Sequence, residues 1–225
     1  MKIRTGTCLL FMALAFVWAD GVKWVETHKW SARGAIETET FELVGDDWKV
    51  VYSSKFKESV ILQLVDAETN EIITYGVASM KNGSTYTMRG KSQALLKRKV
   101  FLRINGSFGA WSTSFSQYVN EITAYEVSKA RKNPVKLSKY GAWCGNGGET
   151  LAIPLTIPNK EWRIVVKAEG AGSLMLKCVD ADDKTLVSSH VSGVGEISSW
   201  VHTTKNVNIE LKSIVTPWVL TIEVQ

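Results

Sequence analysis

Reactive side chains are scarce in this chain: 225 residues carry only three cysteines and three histidines. A structural zinc site takes four ligands, so none is expected, and no metal is assigned. There is no Gly-x-Ser-x-Gly elbow and no His-Glu-x-x-His helix, so no catalytic residue is assigned either. The one glycine-rich stretch, Cys144 to Glu149, lacks the Gly-Lys-Ser/Thr ending that cradles phosphates. It reads as a loop entering a strand, and no cofactor is expected.

Long apolar runs are also missing, except at the start. Lys2 and Arg4 precede the run Leu9 to Val17, and Val17, Trp18 and Ala19 fit the cleavage positions. Residues 1–19 are expected to be a signal peptide, making the chain secreted or periplasmic. The run is shorter than the about 20 apolar residues a membrane span needs, and no later stretch is long and apolar enough to be one. No transmembrane segment is expected after signal removal.

Charge of one sign is absent from the body of the chain. Of the formal net charge of +5, Lys2 and Arg4 lie in the signal and five cations lie between 129 and 139: Lys129, Arg131, Lys132, Lys136 and Lys139. Residues 20–128 balance to zero and residues 140–225 are slightly acidic. The basic character therefore belongs to a connector that holds Asn133-Pro134, which mildly favours two units that move independently. A nucleic-acid binder would carry a basic stripe on its domain, so nucleic acid is not an expected partner.

Two cysteines remain beyond the signal, Cys144 and Cys178. In an oxidising compartment they are expected to form a disulfide. Closing about 35 residues would add roughly 3 kcal/mol. Two buried free thiols are the alternative.

What is plentiful is internal repetition. Phe41 to Val51 aligns with Leu155 to Val165 at an offset of 114, placing Trp48 on Trp162, and the offset holds from Val60-Ile-Leu to Leu174-Met-Leu and from Asp66 to Asp180. Later it is 107, pairing Val100 to Ile104 with Val207 to Leu211 and Trp111 with Trp218; Trp30 falls near Trp143. The second copy is thus shorter by 7 residues, lost between about 76 and 100. Short Val/Ile/Leu/Trp/Thr runs separated by Gly, Asn and Asp read as strands of a sandwich. Val60, Leu62 and Leu64 share one face, and Leu174, Leu176 and Cys178 share its counterpart. The fold expected is all-β: two tandem, internally repeated antiparallel β-sandwich domains, jelly-roll-like, at 20–128 and 140–225, joined by the 129–139 linker. Residues 119–128 lack a counterpart and are expected to form an extra strand or short helix.

The order of a Trp-containing strand, a Val-Asp-Ala-acid turn, an aliphatic strand and a closing Trp-x-x-x-apolar strand resembles the small jelly-roll modules of secreted bacterial proteins, the pre-peptidase C-terminal type among them. The resemblance implies an accessory or binding role and no catalytic residues.

Trp30, Trp48 and Trp111 have repeat partners, which suits packing. Trp24 and Trp200 have none, which makes them the candidate ligand platforms, since indoles stack on sugars and are enriched at partner contacts. Asp66-Ala-Glu68 and Asp180-Ala-Asp182 are expected to be turns, not calcium loops, for the remaining ligands of such a loop are missing. Arg89, Lys91 and Lys97-Arg98-Lys99 form a basic patch that reads as a solvated loop or as a contact for an acidic glycan or membrane surface. Asn82 and Asn105 fit the glycosylation pattern.

These features describe an exported, non-catalytic binding or accessory protein whose partner is a surface glycan or another protein. Two alternatives are a self-assembling envelope component, and a hydrolase whose site forms between the units around His190 or His202.

Overall fold

The computed structural model describes residues 21–225 apart from 93, 94, 96, 107, 108, 121, 122, 124, 125, 127–135, 149, 204, 205 and 215. Residues 1–19, expected to be a signal peptide, and most of the basic connector lie outside the described residues, as does most of 121–128.

The first unit contains β1 (Lys23–Arg33), β2 (Ile36–Glu37), β3 (Phe41–Glu42), β4 (Asp47–Ser54), β5 (Glu58–Asp66), β6 (Ile72–Met80), β7 (Thr85–Lys91), β8 (Lys99–Asn105) and β9 (Ala110–Val119). The second contains β10 (Ser138–Gly145), β11 (Thr150–Thr156), β12 (Trp162–Ala168), β13 (Ser173–Asp180), β14 (Thr185–Ser192), β15 (Gly195–Val201), β16 (Asn206–Ile214) and β17 (Trp218–Val224). β10 begins inside the stretch read as a linker. Every pairing among the described strands is antiparallel.

The orders are β1-β9-β4-β7 and β2-β8-β5-β6, with β3 also on β8, then β10-β17-β12-β15 and β11-β16-β13-β14. Strand by strand, the second pair of sheets repeats the first, and each order is that of an eight-stranded double Greek key. The seven missing residues are spread over three turns. Registers place Thr74 on Val187 and Gly90 on Val201, so one residue goes at the β5–β6 turn, two at the β6–β7 hairpin and four before β8.

Alternation builds each core. β4 runs half-buried, buried throughout its length, turning Trp48, Val50 and Tyr52 inward. They meet Val60, Leu62 and Leu64 of β5, and Leu102 and Ile104 of β8, in one cluster. The second cluster repeats this with Trp162, Ile164 and Val166 against Leu174, Leu176 and Cys178. Within each matched pair one indole is tethered: Trp111 Nε1 donates to Gly34 O (2.8 Å) and Trp162 Nε1 to Thr203 O (3.0 Å), whereas Nε1 of Trp218 and of Trp48 is buried with no hydrogen-bond partner among the described residues.

The disulfide expectation is corrected: both cysteines are free, Cys144 exposed and Cys178 buried. The strand period is the reason. Trp143 is paired with the buried Leu220 and packs on the core, so its neighbour Cys144, paired with Val219, points outward. Cys178 lies in the other sheet and faces inward between Ile209 and Val187. Burial, with the negative charge of Glu37 and Asp180, pushes its thiol up to about 12, far from the thiolate that disulfide exchange requires.

The repeated aspartates are turn residues. Asp66 Oδ1 accepts the N–H groups of Glu68 (2.9 Å) and Thr69 (3.0 Å), and Oδ2 takes Arg98 (3.1 Å). Asp180 Oδ1 accepts from Asp182 and Lys184, both at 3.0 Å. Burial raises the Asp66 pKa, but those N–H groups and Arg98 outweigh it and hold it below its ordinary value. Asp66→Ala leaves two turn N–H groups without their acceptor, and is expected to cost about 2 kcal/mol in urea unfolding at neutral pH. Asp180→Ala is expected to behave alike, which a divalent-ion titration would not alter.

The two units are not beads on a string. β1 and β2 touch β14 and β15, so the four sheets form one body. Phe101 and Val65 sit on the outer face of their sheet, away from their own unit's core cluster, yet neither has any exposure. Phe101 stacks on His202 of the second unit with ring centroids 4.0 Å apart.

Candidate functional site

Two places gather functional side chains: the outer face of the β1-β9-β4-β7 sheet, and the seam between the units.

On the outer face, registers line up Trp24, Tyr118, Asp47 and Lys91 in one row, and Glu26, Ser116, Lys49 and Arg89 in the next. Trp24 is 41% exposed, and every other described indole is buried or half-buried. Its ring lies 5.5 Å from Tyr118, and Lys49 Nζ sits 4.6 Å from its centroid. Further along, Ser112, Ser114, Ser53, Thr85 and Thr87 make a floor of small hydroxyl residues. The basic patch splits here: Arg89 and Lys91 stand on this face, whereas Arg98 is held by Asp66.

Trp200 occupies the corresponding sheet of the second unit and is half-buried. The structure does not bring it together with Trp24. Its ring is 5.9 Å from the Arg163 guanidinium, which is itself tied to Glu223. Lys49 and Arg163 each follow the matched tryptophan, Trp48 or Trp162, so they are repeat equivalents. Each copy therefore sets an indole on the same cation, but from opposite edge strands, β1 in one and β15 in the other. A linear alignment pairs residues of the same strand, so it leaves both indoles without partners.

The seam is denser. Glu37 N–H donates to Ser199 Oγ (3.0 Å), and Thr40 gives Glu161 its N–H and hydroxyl, both at 2.8 Å. Ser189 Oγ donates to the Ala35 carbonyl, and His202 Nε2 meets the Thr38 carbonyl at 3.0 Å. Gly34 takes φ +74°, where an added Cβ would stand 3.0 Å from Ser189 Oγ, so glycine fits this turn on two counts. Arg103 Nε binds Glu37 Oε1 at 2.6 Å, and Arg103 Nη2 reaches Asn70 at 3.0 Å. Burial raises the Glu37 carboxyl to about 7 against the pull of Arg103 and Lys184. Burial lowers His202 to about 4, with Glu161 and the Thr38 carbonyl opposing.

His202 is therefore neutral at pH 7 and donates from Nε2. Ser199 Oγ is engaged by Glu37 N–H and by the Trp200 carbonyl. His190 and His28 stand elsewhere: the first turns its ring to Ser192 (3.3 Å), the second stacks on Trp30 (5.4 Å). The narrow cleft beside Glu37, lined by Arg103, Asn105, Leu186 and Ser199, has room for about one water molecule. This arrangement joins the units. Sequence reasoning missed Glu37, Arg103 and Glu161 because charged residues in strands and bends read as solvent-facing.

The other sequence candidates have plain places. Gly147 and Gly148 turn the chain between β10 and β11 with φ of +96° and +75°. Asn82 is exposed in the β6–β7 hairpin, whereas Asn105 borders the seam cleft. No group of three or more His, Cys, Asp or Glu suited to a metal ion occurs among the described residues, and no described helix is long and apolar enough to cross a membrane.

No family model and no curated protein matches the sequence. Among solved structures the chain is similar to the PBSX exported protein XepA, with 12% identity, 89% of this chain and 86% of that one covered, and a TM-score of 0.32. It is also similar to procruciferin, an 11S globulin from Brassica napus (8% identity, 92% and 84% covered, TM-score 0.27). A third is a cupin 2 conserved barrel domain protein from Leptotrichia buccalis (13% identity, 91% and 89% covered, TM-score 0.25). None of the three is a pre-peptidase C-terminal module. At these scores the likenesses carry no argument, and the functional reading rests on the chain's own residues.

Proposed function

We propose that this chain is an exported, non-catalytic binding protein that holds an acidic surface glycan on the outer face of the β1-β9-β4-β7 sheet. One observation carries the reading: Trp24, the exposed indole, lies beside Tyr118 with Lys49 at 4.6 Å. An indole gives a sugar ring a flat apolar platform with a polar rim. Lys49, Arg89 and Lys91 supply charge for carboxylate or sulfate groups, while Glu26 and Asp47 can accept hydrogen bonds from sugar hydroxyls. The half-buried Trp200, capped by the paired Arg163, is the lesser platform.

Intrinsic fluorescence of the mature chain, titrated with a panel of acidic and neutral polysaccharides, tests this. A saturable shift with an acidic member is expected, lost in Trp24→Ala and kept in Trp200→Ala. Weakening by added salt should follow from the cation contacts. A silent panel would sink the glycan reading and leave a protein partner.

A further inference from the structure

We propose that β6 is a self-pairing edge, and that two copies of this chain associate through antiparallel β6–β6 pairing centred on Gly76. This goes beyond the glycan reading and does not depend on it, because β6 belongs to the other sheet of the first unit.

An open sheet edge offers unpaired N–H and C=O groups, and proteins normally blunt such edges with charge, proline, short strands or a cover. The other described edges are blunted. β1, β7, β10 and β15 carry charged residues, β11 contains Pro154, and β2 and β3 are two residues long. β14 has neither charge nor proline, but the first unit covers it at Gly34 and Ala35. β6 is the repeat counterpart of β14. It too has no charge and no proline, and it pairs only with β5. No described strand pairs with its outer edge.

Its outer face is apolar and open. Tyr75 is 66% exposed and Val77 58%, with Ile61 beside Val77 in the register. This strip continues the surface that holds Val65 and Phe101, where His202 of the second unit already stacks on Phe101.

The sequence around β6 identifies the occupant as a second copy. It reads Glu71, nine uncharged residues, then Lys81, with Gly76 at the midpoint. An antiparallel pair centred on Gly76 sets Tyr75 of each copy opposite Val77 of the other, on the same face. It also brings Glu71 of each copy alongside Lys81 of the other, so both ends are matched in charge. Glu71 and Lys81 are exposed and free to reach across. Since β14 is covered, β6 is the one such edge among the described strands, and the product is a closed two-fold dimer, not a fibre.

Sedimentation velocity of the mature chain over a wide concentration range tests the proposal. A monomer–dimer equilibrium is expected, and Val77→Lys should abolish the dimer without changing the circular dichroism spectrum or unfolding midpoint. Glu71→Lys and Lys81→Glu should each weaken dimerisation about tenfold, by setting like charges together at both ends. Combining the two should restore it, which a generally sticky surface or a misfolded variant would not do. A chain that stays monomeric throughout, a dimer indifferent to Val77→Lys, or a double variant no tighter than the singles would each overturn the proposal.

Discussion

Replacing Glu37 with glutamine is expected to make the protein acid-labile, with a loss of about 3 kcal/mol of stability between pH 7 and pH 4 that the parent chain does not show. The parent balances two opposed titrations across one seam. Glu37 rises from 4.5 to about 7 on folding, chiefly through burial. Its contribution is therefore fully present below pH 4.5 and is lost as pH rises through 7. His202 falls from 6.5 to about 4, also chiefly through burial. Its contribution is present above pH 6.5 and is lost as pH falls through 4. Each shift is worth about 3 kcal/mol at 1.36 kcal/mol per pH unit, and the signs are opposite. Between pH 4.5 and 6.5 the two slopes cancel, leaving the parent nearly level.

Glutamine keeps an oxygen for Arg103 and removes the titration, so the His202 loss stands alone. His202→Gln should give the mirror result, with stability rising by about 3 kcal/mol as pH falls from 7 to 4.5. The double variant should be level again. Urea unfolding at a series of pH values measures all four proteins, the slope with denaturant serving as a check on two-state behaviour. The other charged groups that act on the pair, Arg103, Glu161 and Lys184, are unchanged in every variant. Asp66, held below its usual range, weakens the fold only at pH values under 3.8, outside the window. Variants that track the parent at every pH would show that Glu37 and His202 do not titrate as the seam requires.

The strands and the duplication were legible because both are written in periods. Alternation put Trp48 and Trp162 inward, and Cys178 with them, as their burial shows. What the period could not show is what lies on the far side of a sheet. Val65 and Phe101 are outward residues by parity, yet both are fully buried, and His202 of the second unit stacks on Phe101. The seam was hidden for the same reason. Glu37 pairs with Arg103 across β2 and β8, and Glu161 lies beside His202 at the end of the β12–β15 pairing; only the docking of the units brings the two pairs together. The expected disulfide failed on parity: Cys144 lies one residue after the inward Trp143, a phase that the loose match of Trp30 to Trp143 left open. Of the two indole candidates, exposure separates Trp24 from Trp200, and exposure is a property of the assembled sheets.

Trp162→Ala is expected to lower the stability of the entire chain by about 4 kcal/mol, not only that of the second unit. The local cost comes from a fully buried indole in the second core, with its hydrogen bond to Thr203 O. The spread of that cost is the stronger claim, and it follows from the seam. When the second unit opens, Phe101 loses its stacking on His202 and meets water, Thr38 loses His202, and Glu37 loses Ser199 as a partner. Thr40 loses both its bonds to Glu161, and Ala35 loses Ser189. Each net hydrogen bond is worth about 1 kcal/mol, and each newly exposed large apolar side chain about 2 kcal/mol. The first unit alone would thus forfeit a stabilisation comparable to that of a small domain. Calorimetry should show one transition in the parent and in Trp162→Ala, displaced downward in the variant. Fluorescence from Trp24 in the first unit should follow the same curve. Two transitions, with the Trp24 signal holding its original midpoint, would mean that the seam is too weak to couple the units and that the basic connector joins independent bodies.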